Sequence, residues 1–183
     1  MQQIKIIKRK VKYPRLELKT GSPVLILPEN GGFNPTAIIK KHKSWLKNKM
    51  KLIKALKNKY KKEKIYQRNE KELVNLLTTL SSESSRVLKI EPKAITFRYM
   101  KTKWASCSKK KKICFNLMLK YLPTFLIRYV VFHEMAHLIV PNHSGNFWSY
   151  IKKRYKNPGR YEEMLAGYWF LLNDIKFKQR EKN

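Results

Sequence analysis

Acidic residues are the first scarcity of this chain: 12 Asp and Glu stand against 42 Lys and Arg in 183 residues, a formal charge of +30. Such an imbalance leaves few surface ion pairs to form and favours an anionic partner, such as nucleic acid or an acidic membrane surface. Lysine-rich composition also arises from adaptation to heat or from genome bias, so charge alone assigns no partner. Cysteine is nearly missing. Cys107 and Cys114 cannot build a disulfide framework and suit a reducing compartment. A hairpin centred between Lys110 and Lys111 would make the two thiols cross-strand partners, yet no disulfide is expected, and two thiols at that spacing do not complete a zinc site.

Long apolar runs are missing too. No uncharged stretch approaches the roughly 20 residues of a membrane span, and the run with most apolar residues is broken by Arg128, His133 and Glu134. The opening Met1-Gln2-Gln3-Ile4-Lys5 lacks the apolar centre of a secretion signal. The expectation is a soluble, cytoplasmic chain with no membrane span and an unassigned oligomeric state. At 43% hydrophobic, 183 residues suffice for one globular domain, or one with a modest N-terminal extension.

Histidine is scarce as well, and its placement carries information. Of four in the chain, three are His133, His137 and His143. His133-Glu134-Met135-Ala136-His137 is an H-E-x-x-H pentapeptide, and residues four apart project from one face of a helix. The two imidazoles can therefore reach one zinc ion, with Glu134 beside them to take a proton from a water that the metal activates. A catalytic zinc needs a third protein ligand and one open position. His143 is the candidate, because Pro141 disfavours helical geometry at Val140 and lets the chain turn back. A buried helix with incidental histidines would fit the apolar flanks, but would leave Glu134 as a costly buried charge.

From the N-terminus, Ile4 to Leu27 reads as two or three short strands with a turn at Thr20-Gly21-Ser22-Pro23. Asn34-Pro35 then signals the start of a helix running to about Lys62, with Ile38, Trp45, Leu46, Met50, Ile53, Leu56 and Tyr60 at helical spacing. Its other faces are lysine. Lys40, Lys43, Lys47, Lys51 and Lys54 form a candidate contact surface for nucleic acid or another polyanion; a solvated lysine face is the plain alternative. A second helix spans roughly Asn69 to Val87 with Leu73, Leu76, Leu77 and Leu80 inside. Segments 94–100 and 112–118 read as antiparallel strands, Pro123 opens the motif helix, and Ser144 is placed to cap the next one. Asn157-Pro158-Gly159 precedes a final helix, and the tail beyond Phe177 is expected to fray. Three segments result: strands plus lysine helix over 1–65, a catalytic region over 66–178, and a tail over 179–183.

Lys103-Trp104-Ala105-Ser106-Cys107-Ser108, then Tyr129-Val130-Val131-Phe132-His133-Glu134-Met135-Ala136-His137-Leu138, then Asn142-His143-Ser144-Gly145-Asn146-Phe147-Trp148 resemble, in that order, the motifs of the YgjP-like metallopeptidases, a family related to SprT-like proteases. Ala105 stands where that family has glycine. The likeness extends to the opening strands and the Ser44-Trp45-Leu46 helix. It implies an α+β, zincin-like metallopeptidase domain: a small antiparallel sheet packed with helices, preceded by N-terminal β-strands and the long basic helix. It implies zinc on His133, His137 and His143, Glu134 as general base, and a substrate cleft bordered by Trp104, Ser106, Cys107 and Asn116. Two rival ligand sets remain. The histidine spacing is also that of metzincins, which need a glycine where Val140 stands. A glutamate-ligand zincin would use Glu162 or Glu163, leaving His143 without a role.

The function expected is peptide-bond hydrolysis of a protein or peptide substrate, with an edge strand near Ile113 to Leu117 pairing with it. Alternatives are a metal-dependent nucleotide or phosphoester hydrolase, a SprT-like protease acting on proteins bound to nucleic acid, and a nucleic-acid-binding protein with a structural zinc.

Overall fold

Val24-Leu25-Ile26-Leu27 is apolar without interruption, and the chain places it where both faces are covered. The computed structural model describes residues 4–180. In it, β1 (Lys5–Arg9), β2 (Arg15–Glu17) and β3 (Val24–Pro28) form a sheet in the order β1-β3-β2, with β1 parallel and β2 antiparallel to β3. The strands that carry charged residues thus take the edges, and Leu25, Ile26 and Leu27 are buried in the centre. These strands belong to one of two units into which the chain divides, Met1–Lys62 with Ala166–Asn183; the other is Glu63–Leu165.

Asn34 caps α1 (Pro35–Lys41), its side-chain oxygen accepting from the N–H groups of Thr36 and Ala37. The expected continuous helix breaks at His42, and α2 spans Lys43–Tyr60. No residue of α1 is buried, so no packing holds it in line with α2, which buries Leu46, Ile53, Leu56 and Tyr60. In the same unit, the second half of α6 (Pro158–Arg180) lies against α2. Gly167 allows this: a Cβ there would stand 2.2 Å from the Tyr60 ring. The helix continues to Arg180; residues 181–183, part of the tail expected to fray, lie outside the described residues.

The second unit opens with α3 (Glu70–Leu88), where Asn69 and Glu72 form a reciprocal capping box and Leu73, Leu77 and Leu80 are buried at helical spacing. A sheet of β4 (Ala94–Arg98), β5 (Ala105–Cys107) and β6 (Lys112–Asn116) follows in the order β4-β6-β5. The antiparallel pairing expected for 94–100 and 112–118 is corrected here: β4 and β6 run parallel, and the antiparallel partner of β6 is the short β5. The tight turn between Ser108 and Lys112 makes the hairpin with β5, so β4 joins from the far side. Lys111 takes a left-handed conformation (φ 56°) that closes a three-residue loop, which centres the hairpin on Lys110. Cys107 therefore faces Ile113 and Cys114 faces Ser106, and both thiols are free. β6 lies between two partners, so the edge strands are β4 and β5 and not the 113–117 stretch.

Pro123 precedes α4 (Thr124–Ala136), which buries nine of its side chains, and α5 (Gly145–Arg154) follows. α4 packs against α3, β5 and α5, with Arg128 paired to Glu83 of α3. A helix covered on so many sides explains its apolar sequence. Asn116 organises the approach to β5. It is wholly buried; its amide donates to the carbonyls of Met100 (2.8 Å) and Lys103 (2.7 Å), and its oxygen accepts from the N–H groups of Met100 and Met118. Asn116→Ala orphans these buried backbone groups and is expected to cost about 3 kcal/mol of stability, measurable by urea unfolding. A loss below about 1 kcal/mol would show that solvent reaches them.

Candidate metal centre

His133 and His137 lie at the C-terminal end of α4, one turn apart, and the helix stops between them and the proline. Its last helical residue is Ala136, four residues before the Val140 at which the sequence ends it; residues 137–139 continue as a turn. The Val140 carbonyl is turned back to the His137 ring and accepts from Nδ1 at 3.0 Å, which leaves Nε2 as the free lone pair. The chain then reverses through Pro141, and Nε2 of His143 comes to 3.0 Å from Nε2 of His133. Two ligands of a tetrahedral zinc stand about 3.3 Å apart, so this pair needs little adjustment. One nitrogen from each of the three histidines lies within 4.8 Å of the others. Neither Glu162 nor Glu163 belongs to that group.

Apolar rings set the electrostatics. Phe147 of α5 is fully buried and stacks on His137 with centroids 4.3 Å apart, while standing 4.9 Å from His133 and 4.8 Å from His143. Trp148 stacks on His143 at 5.8 Å. Burial pushes the pKa of His133 down to about 3, helped by His137 and His143, and lowers that of His137 as well, against the Val140 carbonyl. Both helix histidines are therefore neutral at pH 7, the form in which an imidazole binds a metal. α5 starts without help from Ser144, whose side chain makes no capping bond; Asn142 Oδ1 instead accepts the Ser144 N–H at 3.2 Å.

Glu134 is 9% exposed, and its pKa is pushed up to about 7. Burial is the largest cause and Glu162 adds to it; Lys103 and the backbone N–H of Cys107, which is turned to the carboxylate, oppose it. A carboxyl poised near neutrality suits proton transfer in both directions. β5 thus lies beside Glu134. Trp104 and Ser106 are half-buried, the indole N–H of Trp104 donating to the Leu165 carbonyl at 3.2 Å. The Cys107 thiol is half-buried and its pKa is raised by burial and by Glu134. Asn116 is different: its side chain reaches no solvent and is committed to backbone groups. Lys40, Lys43, Lys47, Lys51 and Lys54 are all exposed, on α1 and α2 of the other unit.

Several neighbours escape sequence reasoning as parts of the centre. Tyr129, four residues before His133 and so on its face of α4, donates its hydroxyl to Glu162 at 2.6 Å. The spacing was a usable signal; the Val140 carbonyl, a backbone group, offered none. In protein stripped of metal, charging buried Glu134 costs stability. Its folded pKa lies above the ordinary 4.5, so the neutral form's contribution is complete below about pH 4.5 and lost as pH rises through about 7. Glu134→Gln has no such loss. Its stability advantage over wild type, measured in chelator by urea unfolding, is expected to grow across that window by about 3 kcal/mol.

Comparison with known proteins bears on what the centre does. Among curated proteins nothing matches the chain. Among solved structures, the metallopeptidase zymogen of Pyrococcus abyssi abylysin is similar at 24% identity and TM-score 0.43, over 48% of this chain and 87% of that one. The metallopeptidase zymogen of Methanocaldococcus jannaschii jannalysin is similar at 23% identity and TM-score 0.43, over 57% and 88%. The family model described as YgjP-like, metallopeptidase domain matches residues 48–167, a span that takes in β5, Glu134 and all three clustered histidines. The converging imidazoles thus lie inside a matched domain that covers well over half the sequence, and the chain belongs to the YgjP-like metallopeptidase family, whose members work with a metal ion.

Proposed function

We propose that this metallopeptidase uses zinc, held by His133, His137 and His143, and that Glu134 is its general base. The observation that carries the reading is the approach of three imidazole nitrogens to within 4.8 Å in a pocket walled by Phe147 and Trp148. Three imidazole nitrogen donors, with no fourth protein ligand in the group among the described residues, favour a catalytic zinc site over a closed structural one. When bound, zinc supplies a Lewis acid that makes water nucleophilic near pH 7 and polarises the scissile carbonyl. The chain supplies the rest. Glu134 takes the proton of the attacking water and returns it to the departing amine, a cycle served by its pKa of about 7. The family match favours this over the phosphoester and structural-zinc alternatives.

The substrate is proposed to lie extended along β5. The Trp104 carbonyl and the Ser108 N–H bond toward β6, so the alternation of an antiparallel ladder turns the backbone groups of Ala105 and Cys107 outward, on the side of Glu134. Trp104, Ser106 and the Cys107 thiol are then the side chains nearest the peptide, while Asn116 acts from behind by holding the 100–104 loop.

Metal analysis with a chelator-sensitive casein digestion tests the core of the reading. Glu134→Gln is expected to retain zinc and lose 10²-fold or more in kcat, on the order of what a general base contributes. His143→Ala is expected to lose zinc; full occupancy in that variant would remove the third ligand.

A second reading is favoured by α2 itself. It contains no acidic residue, and its buried stripe leaves Lys43, Lys47, Lys51 and Lys54 together on the solvent side, with Lys40 just before it on α1. This surface is proposed to hold a polyanion such as nucleic acid. Binding of an oligonucleotide measured by anisotropy is expected to weaken steeply between 50 and 300 mM salt, and to weaken at all salts when these lysines are changed to Gln. Salt-independent affinity would count against it.

A further inference from the structure

The edge of His133 turned away from the other imidazoles meets an acid. Its Nδ1 is shut off from solvent and has no hydrogen-bond partner, and Oε1 of Glu162 stands 3.5 Å from it. That same oxygen accepts the Tyr129 hydroxyl at 2.6 Å. Tyr129 is fully buried, stacked on Tyr161 with centroids 4.7 Å apart and edge-on to Tyr155 at 5.1 Å, so its hydroxyl is a fixed point in the unit.

An imidazole that gives its Nε2 lone pair to a cation carries its one proton on Nδ1, and a buried N–H requires an acceptor. His137 has one in the Val140 carbonyl. Among the described residues the acceptor nearest that edge of His133 is the Glu162 carboxylate, and closing 3.5 Å to the about 2.8 Å of a charge-assisted bond is a small movement of an α6 side chain. We infer that Glu162 is a positioning residue of the metal centre: anchored by the Tyr129 hydroxyl, its carboxylate accepts the Nδ1–H of His133 and fixes that ring's tautomer and orientation. The inference rests on the proposed role of His133 as a ligand through Nε2. It also gives Glu162 a place other than that of a metal ligand. The carboxylate sits on the Nδ1 side of the ring, whereas Nε2 faces His143, and the ligand cluster forms without it.

The test measures zinc affinity of metal-stripped protein by competition with a chromogenic chelator, with unfolding of the metal-free protein as control. Glu162→Ala is expected to bind zinc 10- to 100-fold more weakly, as loss of an outer-shell partner does, while its metal-free protein still unfolds cooperatively with only the loss that Tyr129→Phe calibrates for the orphaned hydroxyl. Glu162→Gln keeps an acceptor oxygen but is a poor ligand, and is expected to recover most of that loss, with the absorption bands of cobalt-substituted protein matching wild type. Tyr129→Phe, which keeps the ring stack, is expected to weaken binding in the same direction by less. Wild-type affinity in Glu162→Ala overturns the inference. So does a Gln variant as weak as Ala with altered cobalt bands, which would make Glu162 a ligand. Should the wild type itself hold no zinc, or His133→Ala hold it as tightly as wild type, the proposed zinc site falls and the inference with it. A wild type that binds zinc beside an unaffected Glu162→Ala separates the two failures.

Discussion

Burial of α4 is the constraint from which the rest follows. A helix that hides Leu126, Ile127, Val130, Val131, Phe132, Met135 and Ala136 among its neighbours can carry polar groups only where each one is answered. Arg128 is answered by Glu83, Tyr129 by Glu162 and His137 by Val140. Glu134 is answered only in part, by the Cys107 N–H and Lys103, and its raised pKa is the expression of that deficit. The helix thus concentrates near its C-terminal end groups suited to a cation arriving beside them, since a nearby positive charge offsets the burial that raises the pKa of Glu134 and meets His133 and His137 already neutral.

The aromatic wall contributes by exclusion. Phe147 contacts all three imidazoles and offers none of them a hydrogen bond, so the nitrogens keep their lone pairs free. Trp148 beside it screens the exposed His143 on one face. Electrostatic interactions inside such a lining are stronger than in water, for metal binding and for the charge that develops on a carbonyl under attack.

Much of this arrangement was legible beforehand, and the reasons are local. The pentapeptide declares itself by spacing, His143 by the proline before it, the α3 helix by its leucine stripe. What escaped depends on geometry that residue types do not encode. A three-residue strand such as β5 has too little pattern to announce itself, and without it β4 and β6 look like hairpin partners. Lysine is not the residue that signals a left-handed turn position, so Lys111 hid the hairpin's centre. The break at His42 has no glycine or proline to mark it. Asn116 reads from sequence as a polar residue near a cleft, and only the path of the 100–104 loop reveals that its amide serves the backbone.

The two helix histidines are steadied by partners of different kinds, and they differ in how mutation can reach them. His137 leans on a main-chain oxygen, which survives any side-chain replacement at position 140 that keeps the turn's path. An evolving lineage could vary Val140 freely without disturbing that ring. His133 has no such insurance, because its neighbour belongs to a side chain on another helix and can be erased by one codon change. Drift in this centre should therefore be felt sooner through the first histidine than through the second.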